Sequence, residues 1–420
     1  MDTDERRYRL VTDRAARGAV YEGHGPQAVY DEESNATIVV YRGDDADPFA
    51  TWFDHDAGTI GPQTRIGTNP LSNDDNHGPP SLCIDDDGFL YAFYGSHSSD
   101  HHLAKSTEPR DPTSWEERGP LTDVPPGTYP MPLLYDGDLY VCYRSGDRYD
   151  STYPAVQYAT IVRSTDGGAS FEDLGPIIDT TGHPAERSVA YVKDVAERDG
   201  RFHVSWFVAH ANGTEMSDYT RSNVFHACFD PADGRIYGVD GTAFGSTIDW
   251  QDMQHPTIRA FDGDDANHPK HVLTDDGVAI LYTHFDPDRD EIRWQVTTWD
   301  GAGWRTEQVG DAVANHLFDG GYPRVTDDGD LEVHVVTGDG SETRRYGPGR
   351  GGDFAVYRKR ADGAWTRYPI ASADRERRFS RVTVVANGRD EFASLFAEAS
   401  DDPEDFAVSL YAADLTGFEE

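Results

Sequence analysis

Apolar and polar residues alternate in short runs along almost the whole chain, the period of a half-buried strand and not of a helix. Residues 36–41 (ATIVVY), 89–94 (FLYAFY), 138–143 (DLYVCY), 202–207 (FHVSWF), 278–282 (VAILY) and 331–336 (LEVHVV) are rich in the β-branched and aromatic residues that suit a pleated sheet. Long amphipathic helical stretches are hard to find. The 41 glycines and 24 prolines fall between the runs, as turn residues do.

The runs recur with a common preface. An apolar strand enters an acidic, Gly-containing turn and leaves as a second strand, over residues 80–94, 132–143, 190–207, 270–282, 322–336 and 381–395, with a first copy at 27–41. Asp-Gly or Asn-Gly between two strands is a strong hairpin signal. The turn glycines Gly88, Gly137, Gly200, Gly277, Gly329 and Gly388 lie 49, 63, 77, 52 and 59 residues apart. Seven copies of a unit of about 50 residues predict an all-β fold, a seven-bladed β-propeller of four-stranded antiparallel blades, forming one domain over residues 1–420. A pair of β-sandwiches is the alternative, but it would not repeat one turn signature seven times. Ser164-Thr-Asp166-Gly-Gly168-Ala-Ser-Phe171 fits the Asp-box pattern, in which a carboxylate caps turn amides and an aromatic packs beneath the loop. Such a box supports the fold and carries no chemistry.

Composition narrows the partners. Lys plus Arg is 37 against 76 for Asp plus Glu, a formal charge of −39. That excludes a general nucleic-acid binder and disfavours anionic lipid. The acid is dispersed, with lysine only at 105, 193, 270 and 359, a composition like that of proteins from salt-in halophiles. Acidic clusters at 262–265 and 286–290 fit solvated loops of such a surface better than calcium sites. No apolar run of membrane-spanning length occurs, and residues 1–17 lack an apolar signal core, so a cytoplasmic location is expected. Three cysteines (Cys83, Cys142, Cys228) make no disulfide framework.

In a propeller the first strand of each blade lines the axis, and loops at one end build the ligand site. His77 precedes the first strand of the second unit and His97 follows its next strand, so a hairpin brings both to the same pole. Imidazole moves protons near neutral pH. Tyr143-Arg144 ends the corresponding strand of the third unit, and Arg163 lies on the strand entering the Asp box. From spacing alone, these are equally well two loop histidines and a cation–π pair. In another strand, His226 and Cys228 share a face, and His210 ends the strand before, so these three are candidate ligands of a structural zinc or calcium ion. His268, His271 and His316 are options for a fourth; a buried Cys beside a surface His is the plainer reading. No organic cofactor is implied.

The run Asn76-His77, Pro80-Ser-Leu, Asp87-Gly88, Tyr94-Gly95-Ser-His97, Thr128-Tyr129-Pro130, Tyr143-Arg144, Arg163-Ser-Thr-Asp-Gly-Gly168 and Tyr191-Val-Lys193 resembles the BNR-repeat β-propeller polysaccharide lyases, which include ulvan and rhamnose–glucuronate lyases. The resemblance covers about residues 70–245. It implies β-elimination on a uronate-containing oligo- or polysaccharide, which leaves a 4,5-unsaturated uronate. It assigns catalysis to His77, His97, Tyr143 and Arg163, with Arg163 on the carboxylate and Arg144 its substitute, since 147–157 intervene. One histidine would be the base and Tyr143 the acid, or a shared base and acid. Asn76, Tyr129, Arg144, Tyr191 and Lys193 are implied to bind substrate. Related lyases carry a structural metal near His226. Insertions at 147–157 and 210–223 would wall a pocket for short chains. The competing readings are a glycoside hydrolase on a sialidase-like propeller, for which Asp74 and Asp75 would be the carboxylate pair, and a non-catalytic carbohydrate-binding propeller.

The charge generates a test of its own. The thermal unfolding midpoint is expected to rise between low and multimolar salt as self-repulsion is screened. A midpoint that does not move with salt would remove the halophilic reading.

Overall fold

The computed structural model describes residues 7–21, 23–73, 75–146, 156–212, 220–275, 277–313, 320–338, 351–359, 363–374, 377–399 and 407–417. Among the described residues, strands account for nearly all the regular structure, with two short 3-10 turns at Asp252–Gln254 and Asp390–Phe392. Each alternating run becomes a strand: 36–41 lies in Ala36–Arg42, 138–143 in Asp138–Gly146, 202–207 in Arg201–Ala211 and 331–336 in Leu331–Thr337. Among the described residues no helix is long and apolar enough to cross a membrane.

The strands form antiparallel meanders in six hydrogen-bonded sheets. The largest has ten strands, because Val156 and Gln157 pair in parallel with Ser188 and Val189 and fuse two consecutive meanders. The opening strands of the meanders are Ala28–Asp31, Ser81–Ile84, Gly127–Tyr135, Arg187–Arg198, Ala266–Thr274, Gly321–Val325 and Phe379–Val384, and each touches the next in that order. The ring closes where Tyr30 N–H donates to the Ala386 carbonyl and Ala386 N–H donates to that of Ala28, both at 2.9 Å. Closure is doubled at the rim. The N-terminal strand Tyr8–Ala16 pairs antiparallel with the last strand, Ala407–Ala413. This is the propeller architecture the repeats predict.

Sheet faces pack on sheet faces, which leaves apolar clusters between neighbours. One holds Trp206, Phe225, Ile161 and Val192; another holds Trp294, Leu281, Val333 and Val335. The Asp box folds as read. Asp166 Oδ1 accepts from the Ala169 and Ser170 amides at 3.0 and 2.9 Å, and Phe171 is buried edge-on to Phe93.

Three inner strands share a device that no pattern announced. The ladder slips between Thr128 and Met131, between Asn267 and Lys270, and between Ser380 and Thr383. Each slip holds a non-glycine residue in the left-handed region: Tyr129 (φ 67°), His268 (φ 56°) and Arg381 (φ 58°). A bulge re-aims a side chain that regular alternation would place elsewhere. All three lie near the start of an inner strand, the end of the ring where His77 sits. The opposite end opens into a cavity of 1210 Å³ bordered by Val29, Ile84, Leu133, Val272 and Val384.

Candidate functional site

The site starts from an Asx turn. Asp75 Oδ1 accepts from the His77 backbone amide at 3.0 Å, which fixes the loop before Ser81–Ile84. The same oxygen lies 2.6 Å from His77 Nδ1, and Oδ2 lies 2.7 Å from His97 Nδ1. One carboxylate thus bridges two imidazoles, whose rings stack 3.6 Å apart at 19°. His97 is held from its own side. It pairs with Thr128, the Ser98 amide donates to Thr128 Oγ1 at 2.8 Å, and Ser96 Oγ lies 2.6 Å from the buried His101 Nδ1. The His97 side chain is 32% exposed against 19% for His77, so His97 faces solvent more openly.

His77 Nε2 lies 3.1 Å from the Tyr129 hydroxyl. Tyr129 is the residue on the first bulge, and Gly23 lets it fit: a Cβ there would fall 2.5 Å from its ring. The ring belongs to a ladder of aromatic and cationic groups. Phe207 stacks on Tyr191 at 5.0 Å, and the Arg144 guanidinium lies 4.6 Å from Tyr191 and 4.7 Å from Tyr129. Tyr129 stacks on Tyr21 at 5.8 Å, and Arg381 closes the series 4.6 Å from Tyr21. Lys193 Nζ sits 4.7 Å from the Tyr129 ring centroid, and His24 meets both Tyr21 and Tyr129 edge-on.

Burial and neighbours set the proton affinities. Burial works to raise Asp75, but hydrogen bonds from His77 and His97 outweigh it and hold the carboxyl well below its usual range. Burial pushes His77 down to about 4, opposed by the Asp75 hydrogen bond and reinforced by the His97 ring. His101 falls to about 3, again by burial, and fully buried His24 is held well below the ordinary imidazole value by burial and by His77.

Of the residues singled out in the sequence, the fold brings together His77, His97, Tyr129, Arg144, Tyr191 and Lys193, with the Asn76 side chain beside Arg381 near Gly18. Tyr143 is not among them. Neighbouring strand residues face opposite ways. With Arg144 on the site face, Tyr143 is buried between sheets, its hydroxyl donating to the Pro125 carbonyl at 2.8 Å and its ring edge-on to His101. Arg163 is also elsewhere. It pairs with Tyr140, four residues down the strand from Arg144 and so about 13 Å away, and its guanidinium is taken by Asp138 at 2.7 Å. Arg144 lies instead between the Tyr129 and Tyr191 rings. Asp74, His316, residues 147–155 of the first insertion and 213–219 of the second lie outside the described residues.

The sequence missed Asp75 in this role, weighing it only as half of a carboxylate pair. Its signal was the Asp-x-His spacing of an Asx turn. Tyr21, His24 and Arg381 gave no signal, because they reach the site from the two ends of the chain.

The metal candidates change by one residue. Ser205 pairs with His226 and His203 with Cys228, so His203, not His210, joins them. The ligand atoms of His203, His226 and Cys228 all lie within 4.8 Å of one another. His210 is seven residues further along the strand, about 23 Å away, against His183.

A family model described as "BNR repeat-containing family member" matches residues 27–312. An ulvan lyase of Alteromonas sp. (strain LOR) is 27% identical over 232 residues, 50% of this chain and 42% of that protein. The Ulvan Lyase-PL25 of Pseudoalteromonas sp. (strain PLSV) is 27% identical over 258 residues, 56% of this chain and 46% of its own. The chain thus spans less than half the length of these two relatives. Among solved structures, a PL25 ulvan lyase bound to -[GlcA(1-4)Rha3S]- superposes with a TM-score of 0.78 at 18% identity, covering 96% of this chain and 95% of the other. That likeness shows the propeller fold.

The lowered histidines make stability depend on pH. The unfolded chain binds protons on these rings near pH 6.5, whereas folded His77 and His101 do so only near 4 and 3. Between those values the unfolded state holds more protons, so unfolding becomes easier as pH falls. The unfolding free energy is expected to be level above about pH 7 and to drop by about 1 kcal/mol per buried ring by pH 5.5, where most carboxylates are still ionised. Denaturant titrations at both pH values measure it. Equal stability would mean that the folded rings take protons as freely as the unfolded ones.

Proposed function

The chain belongs to the BNR repeat-containing family, and on that footing we propose that it is a polysaccharide lyase that cleaves a uronate-containing glycan of the rhamnose–glucuronate kind by β-elimination. The observation that carries the reading is a pair of carboxylate-bridged imidazoles beside a tyrosine hydroxyl, flanked by two cations. β-Elimination at a uronate needs this inventory. The C5–H bond breaks and its proton goes to a base. Its electron pair becomes the C4–C5 double bond. The C4–O4 bond breaks, and O4 leaves with a proton from an acid. The carboxylate on C5 must meanwhile be held by positive charge, so that the developing carbanion is stabilised.

Arg144 and Lys193 suit the carboxylate, being the cations packed on Tyr129. His97, the more exposed ring, suits the C5 proton. Tyr129 and His77 form the second proton-carrying pair and serve O4. Tyr129 and Arg144 thereby take the parts that the resemblance gave to Tyr143 and Arg163. The -[GlcA(1-4)Rha3S]- unit bound to the PL25 ulvan lyase of similar fold supports the choice of substrate.

The test is absorbance at about 230–235 nm, where an unsaturated uronate absorbs, with rhamnose–uronate glycans and their oligosaccharides at high salt. Wild type is expected to give a rising signal, and His97→Ala to lower kcat by about 10²–10⁴-fold. New reducing ends without absorbance would mean hydrolysis. Glycan binding with neither signal would mean a binding platform.

We also infer that His203, His226 and Cys228, with His271 as fourth donor, hold a structural zinc ion. Support comes from the geometry: His203 Nδ1 lies 3.2 Å from His226 Nε2 and 3.4 Å from Cys228 Sγ, and His271, whose ring is 5.5 Å from that of His226, has a buried Nε2 with no hydrogen-bond partner. Nitrogen and sulfur donors suit zinc and not calcium. Burial pushes the Cys228 thiol up to about 12; zinc would hold it as thiolate. Purified protein is expected to contain about one zinc per chain, and chelation to lower the melting temperature by several degrees. Metal-free protein with an unchanged melting temperature would refute this.

A further inference from the structure

We propose that Asp75 is a positioning residue that fixes the tautomers of His77 and His97 together, placing the proton of each ring on Nδ1, so that the Nε2 lone pair of His77 meets the Tyr129 hydroxyl and that of His97 is turned to substrate. The inference deepens the lyase reading and rests on it for its kinetic consequence, though not for its structural content.

The geometry leaves one consistent arrangement of protons. An ionised carboxylate only accepts hydrogen bonds. Its two oxygens each meet a different imidazole at Nδ1, at 2.6 and 2.7 Å, the separations of charge-assisted bonds. Both Nδ1 atoms must then carry hydrogen, and in a neutral imidazole the basic lone pair sits on the other nitrogen. One carboxylate sets two rings because the Asx turn anchors its Oδ1 on the His77 amide while Oδ2 reaches across to the neighbouring hairpin.

The two rings are not equivalent. His77 Nε2 is engaged by Tyr129, while the His97 side chain is the more exposed. With rings 3.6 Å apart, two imidazoliums would repel strongly, and one carboxylate neutralises only one of them. The trio therefore stores a single mobile proton. When His97 takes up a proton from substrate, Asp75 balances the new charge, and His77 stays neutral beside Tyr129.

Neighbouring groups agree with this. The cations near the pair are Arg144 and Lys193, each 4.7 Å from the Tyr129 ring centroid, and burial holds His24, edge-on to the same ring, neutral. Among the described residues, Asp75 is the acidic group hydrogen-bonded to these two imidazoles.

The test reads tautomers directly. Full-length protein labelled with ¹⁵N-histidine is examined by imidazole nitrogen shifts at pH 7.5, with the two rings assigned by the signals lost in His77→Gln and His97→Gln. Both rings of the wild type are expected to show protonated Nδ1 and unprotonated Nε2. In Asp75→Asn the side-chain amide must donate to one ring, so at least one ring is expected to reverse its tautomer. kcat should fall at least about 100-fold with KM changed less than about threefold, and Asp75→Glu should recover part of the loss. Wild-type rings protonated on Nε2 would overturn the proposal, with no need for the variant to fold. Reversed tautomers with kcat kept within about threefold would overturn the positioning role. The nitrogen shifts need no substrate, so a wild type inactive on every uronate glycan would sink the lyase reading and leave the tautomer result standing.

Discussion

Closure of the ring is the constraint on which the rest depends. Each meander has two faces that must leave water, and in a ring every face finds a neighbour only if the last sheet meets the first. Two joints secure this: backbone hydrogen bonds between the strand Ala28–Asp31 and Ala386, and the pairing of Tyr8–Ala16 with Ala407–Ala413. The rim joint takes its strand from one end of the chain and its partners from the other. The inner joint seats Tyr21 from the first segment beside Arg381 from the last meander. The aromatic ladder behind Tyr129 is complete only when the ring is closed.

Charge is distributed in two ways that serve different ends. The −39 of the whole chain is spread over the sequence and maintains hydration of the surface. At the site the balance reverses locally, with Arg144, Lys193 and Arg381 gathered around tyrosine faces and Asp75 committed to two imidazoles. The acidic composition as a whole repels anions, whereas the cations gathered at this end of the ring attract them. Stacking on aromatic faces helps guanidinium groups remain charged in a buried setting.

Backbone strain at the inner strands is the counterpart of that chemistry. Tyr129, His268 and Arg381 occupy left-handed conformations at bulges in three inner strands. A regular strand offers only two directions for its side chains, and the bulge adds a third. It turns the Tyr129 hydroxyl to His77, and ladder pairs resume on either side of each slip to hold the strained residue in place.

Local signals were enough for the repeated β unit, the Asp box and the pole of the propeller that carries His77 and His97. These follow from period-two alternation, turn residues and chain order, which are properties of neighbours in sequence. The companions of the histidine pair were a different matter. Tyr143 and Arg163 look equivalent to Tyr129 and Arg144 in a linear reading, yet strand alternation buries Tyr143 and ladder register carries Arg163 down the blade to Asp138. The exchange of His210 for His203 has the same origin, since the register of Arg201–Ala211 against Thr220–Asp230 decides which histidine faces Cys228. The sequence by itself determined the elements, their repetition and the acidic surface. Only the tertiary structure decided which side chains meet, because register, bulges and ring closure are set by packing between residues far apart in the chain.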